Sequence, residues 1–168
     1  YSQQVRIALA AGTVGTDGGT IQGENVSLTL QAGSLQQETV IYIYETTTGT
    51  DPELPEGSTL VGTAWAFTPH GTTFDQPITI EFDVPEGTNL VLRADDENDN
   101  SFEIVENYSV ENNKATLSTN TFSVYVGSVF TPAVITGTPE QGNYLTASVS
   151  GDVPDVTFQW RRNGDNIL

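Results

Sequence analysis

The chain is patterned in twos. Val5, Ile7 and Leu9 alternate with other residues, and Val26, Leu28 and Leu30 repeat the pattern with polar partners. Such alternation puts one face of an extended strand against a core and the other in water. Val40 to Tyr44 is β-branched and aromatic throughout, which predicts a strand buried on both faces. Further strands are expected over 60–67, 78–82, 90–92, 102–105, 115–117 and 122–126. Turn residues separate them: Gly18-Gly19, Gly49-Thr50-Asp51-Pro52, Pro55-Glu56-Gly57, Pro85-Glu86-Gly87 and Asn112-Asn113. No stretch of useful length carries a helical apolar period. Many short strands at this spacing predict an all-β chain built as a sandwich or barrel.

A boundary is expected near Thr131-Pro132, with strands over 133–136, 144–149 and 156–161 beyond it. The chain of 168 residues is long enough for one ordinary domain and part of a second. It divides into an N-terminal strand over 1–12, a sandwich over 13–130 and an incomplete second sandwich over 131–168.

Charge narrows the partners. Asp and Glu number 22 against 5 Lys and Arg, a formal net charge of −17. Arg93 and Lys114 are the only Lys or Arg residues between Arg6 and Arg161. Such a surface repels nucleic acid, whose binding rests on cationic contacts to phosphate, and anionic lipid head groups. No apolar run approaches the roughly 20 residues that span a bilayer, so membrane insertion is not expected. Cys and Met are both absent, so disulfides play no part. Tyr1 is no translational start, which suggests a segment removed upstream, such as a signal peptide, and a secreted or cell-surface location.

Three landmarks within residues 14–127 then stand out. Gly18-Gly19-Thr20-Ile21 forms a Gly-Gly turn and strand. Val26-Ser27-Leu28-Thr29-Leu30 runs into Gln31-Ala32-Gly33-Ser34-Leu35. Pro69-His70-Gly71-Thr72-Thr73-Phe74-Asp75-Gln76-Pro77-Ile78 is a turn leading into a core strand. Together they resemble the ZU-five domain of zonula-occludens proteins, netrin receptors and ankyrins, particularly its bacterial surface-protein relatives. Gln31 and Ser34 depart from that family's usual Pro and Ala. The resemblance implies a β-sandwich used as an interaction or spacer module. The tail, Ile135 to Gly142 and Phe158 to Gly164 with Trp160 as a core residue, resembles the first half of a bacterial immunoglobulin-like adhesin repeat.

Candidate chemistry is sparse. Some ZU-five relatives cut themselves at His-Phe-Ser, where the Ser hydroxyl attacks the preceding carbonyl and the His assists proton transfer. Here the corresponding run is Thr121-Phe122-Ser123, and a Thr hydroxyl is no base near neutral pH. Self-cleavage is therefore disfavoured, and Phe122 and Val124 are expected to alternate with Ser123 and Tyr125 in an ordinary strand. His70, the only histidine, is expected to orient its turn by hydrogen bonding.

The densest oxygen cluster is Asp95, Asp96, Glu97, Asn98, Asp99 and Asn100, a candidate calcium loop. Calcium takes six to eight oxygen ligands, typically with a turn Gly and a bidentate Glu. Here Ser101 stands in place of the Gly, so a solvated hairpin between strands is the competing reading. Trp65, Phe67, Phe82, Tyr42 and Tyr44 form either core or an aromatic sugar-binding face.

No nucleophile–His–acid set and no phosphate-binding Gly loop with a Lys is readable, so an enzyme is not expected. The expected role is a structural or adhesion module, either a segment of a surface adhesin or the subunit of an extracellular fibre. Its partners would be other copies of itself or neighbouring repeats, joined by β-strand pairing. A recognition domain for a protein or glycan ligand is the alternative. The incomplete tail leaves open whether the chain is a piece of a longer repeat protein or receives strands from a neighbour, with Ser2 to Ala11 as a candidate donor strand.

Overall fold

In a computed structural model, the described residues are 8–48, 51–131, 133–136, 145–149, 161–162 and 165–166. The chain divides into two compact units, residues 1–130 and 131–168.

The first unit is a sandwich of two antiparallel sheets. Its strands are β1 (Ala10–Val14), β2 (Gly19–Gln22), β3 (Val26–Leu30), β4 (Thr39–Thr46), β5 (Ser58–Thr68), β6 (Thr73–Asp83), β7 (Leu90–Ala94), β8 (Glu103–Ile104), β9 (Tyr108–Glu111), β10 (Lys114–Thr121) and β11 (Val124–Phe130). One sheet has six strands in the order β1-β4-β5-β11-β7-β8, and the other has five in the order β2-β3-β6-β10-β9. The fold class is all-β, as the alternating pattern predicts.

Alternation decides what fills the space between the sheets. Leu28 from β3, Ile41 and Ile43 from β4, Ile78, Ile80 and Phe82 from β6 and Leu117 from β10 are buried there. Burying each such side chain contributes roughly 1.5–3 kcal/mol. Phe67 stacks on Phe122 at 5.9 Å, and Phe74 meets Phe122 edge-on at 4.8 Å.

The six-stranded sheet is apolar on its outer face as well. Ala64 and Ala66 of β5, Leu92 and Ala94 of β7, and Val124 and Val126 of β11 form a second cluster with Phe102. The chain over Leu54 and Phe102 covers it. Glu53 and Asn100–Phe102 hold that cover together: Glu53 N–H donates to Asn100 O at 2.7 Å and Phe102 N–H to Glu53 O at 2.8 Å. The small side chains of Ala64, Ala66 and Ala94 let this segment approach. The strand buried on both faces is thus the centre of β5, not β4. In β4 only Ile41 and Ile43 turn inward, while Val40 and Tyr42 are exposed. The cover reaches the middle of the sheet and stops short of its β1–β4 margin.

Two glycines are required by geometry. Gly18 has φ +75°, and a Cβ there would lie 2.4 Å from Leu30 O. Gly62 has φ +77° where β5 bulges opposite Tyr125 and Gly127, and a Cβ would strike the Pro85 ring at 2.7 Å. Asn112 and Asn113 carry φ of 51° and 60°, the left-handed pair expected for a tight hairpin, here between β9 and β10.

β1 straddles the boundary expected after residue 12. It pairs with β4 along its whole length, from Ala10 opposite Ile43 to Val14 opposite Thr39. Residues 10 and 11 therefore belong to the sandwich's own sheet, and residues 1–7 of the candidate donor strand lie outside the described residues.

In the second unit, β12 (Ala133–Thr136) pairs antiparallel with β13 (Thr146–Val149). A short ladder joins β14 (Arg161–Arg162) to β15 (Asp165–Asn166). Of the strand expected over 156–161, all but Arg161 lies outside the described residues, Trp160 included. Ile135 and Leu145 are exposed.

Candidate functional site

Polar contacts join the β5–β6 turn to both the β7–β8 loop and the β10–β11 junction. The β5–β6 turn is closed by Thr72, whose N–H and Oγ1 both donate to Pro69 O, at 3.3 and 2.7 Å. His70 projects from this turn, and its Nε2 lies 2.6 Å from Glu97 Oε2 in the β7–β8 loop. The lone histidine thus fastens two connections that are distant in sequence.

The candidate calcium loop is organised by its own backbone. Asp96 Oδ1 accepts the N–H groups of Asn98 and Asp99, at 2.7 and 3.2 Å. The Asp99 carboxylate accepts from Ser101 N–H at 3.0 Å and Asp95 N–H at 3.2 Å. These two bonds hold its pKa below the usual carboxylate value. Glu97 faces His70, and Asn100 Nδ2 donates to Asp51 O at 2.7 Å. Asp95 and Asn98 are exposed, and Asp95 lies 4.0 Å from Arg93. The six oxygen-bearing residues are brought into one loop, yet these side chains turn to different partners. Among the described residues no group of three or more His, Cys, Asp or Glu side chains is placed to hold a metal ion.

Thr121-Phe122-Ser123 is a corner rather than an ordinary strand. β10 ends at Thr121 in one sheet and β11 begins at Val124 in the other. Phe122 packs in the core between the sheets while Val124 packs in the outer cluster, so simple alternation fails where the chain crosses over. Phe122 N–H donates to Thr72 O at 3.2 Å, and Phe67 N–H to Ser123 O at 3.3 Å. The buried Tyr125 hydroxyl donates to Thr121 O at 3.0 Å. Burial raises the Tyr125 pKa above that of a free phenol, against the opposing pull of the Thr119 and Ser123 hydroxyls and Arg93.

The Lys and Arg side chains of the described sandwich are already paired. Lys114 Nζ lies 2.8 Å from Asp83 Oδ1, and Arg93 bonds to Glu103. Partial burial pulls the Arg93 pKa down, but the bond to Glu103 and its charge outweigh this and raise it. Arg93, Glu103, Glu106, Asn107, Thr119 and Tyr125 line an open cleft of about 370 Å³ between the two sheets.

The five aromatic residues weighed as a sugar-binding face separate in the structure. Trp65, Phe67 and Phe82 are core. Tyr42 and Tyr44 lie on the outer side of β4, stacked with ring centroids 6.1 Å apart. Beside them Val40 is 47% exposed and Tyr42 is 40% exposed. Ala11 and Thr13 of β1 stand opposite Tyr42 and Val40 in the ladder. Leu9, whose N–H donates to Ile43 O, is 52% exposed at the start of this strand pair. This apolar ledge was missed from sequence because an unbroken apolar run does not report which of its faces is covered.

Residues 10–85 match the ZU5 domain family. The match spans β1 to β6, which include the ledge and the His70 turn, and ends before the acidic loop. ZU5 domains are non-enzymatic β domains that mediate protein interactions. No curated protein matches the chain. No helix among the described residues is long and apolar enough to cross a membrane.

Proposed function

We propose that the chain is a non-enzymatic interaction and spacer segment of an extracellular surface adhesin, with a ZU5-like sandwich leading into the first strands of an immunoglobulin-like repeat. The observation that carries this reading is the match of residues 10–85 to a protein-interaction family. The antiparallel β12–β13 pair supports a second all-β module after the boundary. The net charge of −17 suits surroundings in which ions screen self-repulsion.

The second reading is a subunit of an extracellular fibre, assembled through β-strand pairing. Exposed Ile135 and Leu145 favour it, since a neighbour's strands would bury them. Light scattering and electron microscopy of the purified chain separate the two. Discrete monomers are expected of the adhesin segment, and polymers would replace it with the fibre.

A further inference from the structure

The sandwich has four sheet edges, β1, β8, β2 and β9, and three of them discourage strand addition. β8 is two residues long and carries Glu103. β9 ends on Glu111 with Glu106 just before it, and β2 opens on Gly19 between Asp17 and Glu24. Short length and charge are the ordinary devices that keep an edge from templating another chain. β1, Ala10-Ala11-Gly12-Thr13-Val14, has neither charge nor Pro and runs in unbroken register with β4. The outer side of that strand pair also carries exposed Val40, Tyr42 and Leu9, with half-buried Tyr44 stacked beside Tyr42 at the edge of the outer cluster. Among the described residues, the unprotected edge and the exposed Val40–Tyr42 surface coincide.

Charge selects the occupant. β1, β4 and β5 contain no Lys or Arg, while exposed Glu38 stands just before β4 at one end of the ledge. Arg93 and Lys114, the basic residues of the described sandwich, are held by Glu103 and Asp83 elsewhere. A second copy would bring like charge against like across this margin. A cationic chain would be drawn to it instead.

We propose that the β1–β4 margin is a docking surface for an extended, cationic segment of a partner protein. The segment adds as a strand along β1 and lays an apolar side chain on the Val40–Tyr42–Tyr44 ledge. Backbone hydrogen bonds along β1 supply the template, the tyrosines supply the apolar anchor, and Glu38 together with the net charge of −17 favours Lys or Arg at the rim. This rests on the interaction-module reading and names its surface and the chemistry of its partner.

The test uses the full chain, isotopically labelled, with an alternating Lys/Val peptide and a Glu/Val peptide as control. The Lys/Val peptide should shift the amide signals of Ala10–Val14 and Val40–Tyr44, and its affinity should fall as salt is raised from about 0.05 to about 0.5 M. Tyr42→Ser should weaken it about tenfold or more with an unchanged melting curve. Tyr42→Gln serves if the Ser variant melts early. Shifts confined to another surface, equal binding of the Glu/Val peptide or full affinity in the Tyr42 variant would overturn the site and leave the interaction-module reading standing. No shift at any residue overturns the cationic-strand partner, and light scattering judges the module separately. A wild-type dimer abolished by Tyr42→Ser would assign the surface to a second copy and overturn the proposal.

Discussion

His70 Nε2 stands 2.6 Å from Glu97 Oε2, with the His70 side chain 23% exposed and that of Glu97 11%. The contact ties the end of the ZU5-matched region to a loop beyond it. His70→Ala is therefore expected to destabilise the sandwich by about 1–2 kcal/mol. Urea unfolding measures this, and His70→Gln should lose less by keeping one hydrogen bond to Glu97. Equal stability of wild type and His70→Ala would show that the contact contributes nothing.

Ser34 is 2% exposed, and its Oγ is buried without a hydrogen-bond partner. Its backbone is fully used: Ser34 N–H donates to Gln31 O at 3.1 Å, and Ser34 O accepts from Asp75 N–H at 3.2 Å. The hydroxyl adds only a desolvated polar group. Ser34→Ala should stabilise the chain by about 1 kcal/mol in a denaturant titration. A loss of stability would reveal a partner for the hydroxyl.

Tyr125 gives the alkaline limb a definite sign. Its folded-state pKa lies above its unfolded value because burial disfavours the phenolate. Its contribution is complete below the unfolded value of about 10 and is lost as pH rises through the folded one. Tyr125→Phe should flatten the stability–pH curve above about pH 10, while costing about 1 kcal/mol at neutral pH through the lost bond to Thr121 O. Parallel curves for the two proteins above pH 10 would contradict this.

Asp99 acts at the other end of the scale. Backbone N–H groups of Ser101 and Asp95 hold its pKa below the ordinary value. Its contribution is present above the unfolded value of about 3.9 and disappears as pH falls through the lower folded one. Asp99→Asn should flatten the acid limb. Melting curves in calcium, magnesium and chelator test the Asp95–Asn100 loop as a calcium site, which predicts a rise in melting temperature specific to calcium. Coincident curves in all three would leave the loop a solvated hairpin.

Thr121 stands at the corner where relatives that cut themselves carry His, and its carbonyl is held by Tyr125. The intact mass should stay single after long incubation at neutral pH. Two fragments summing to the parent mass would show cleavage at Phe122-Ser123.

The sequence by itself determined β3 and the end of β6 as strands, with their inward-facing residues. Val26, Leu28 and Leu30, or Ile78, Ile80 and Phe82, can satisfy a two-residue period only as strands with one face buried. Asn112-Asn113 and Gly18 likewise announce their turns through the left-handed backbone they tolerate. Only the tertiary structure decided which apolar strand received a second cover. Ala64–Phe67 and Val40–Tyr44 are both apolar runs, but the Leu54–Phe102 segment reaches the centre of the sheet and leaves the β1–β4 margin bare. The pairing of His70 with Glu97 was equally hidden, because it joins turns 27 residues apart that meet only once β5, β11 and β7 lie side by side. Local sequence encodes the period of each strand, whereas coverage and side-chain pairing depend on contacts between segments far apart along the chain.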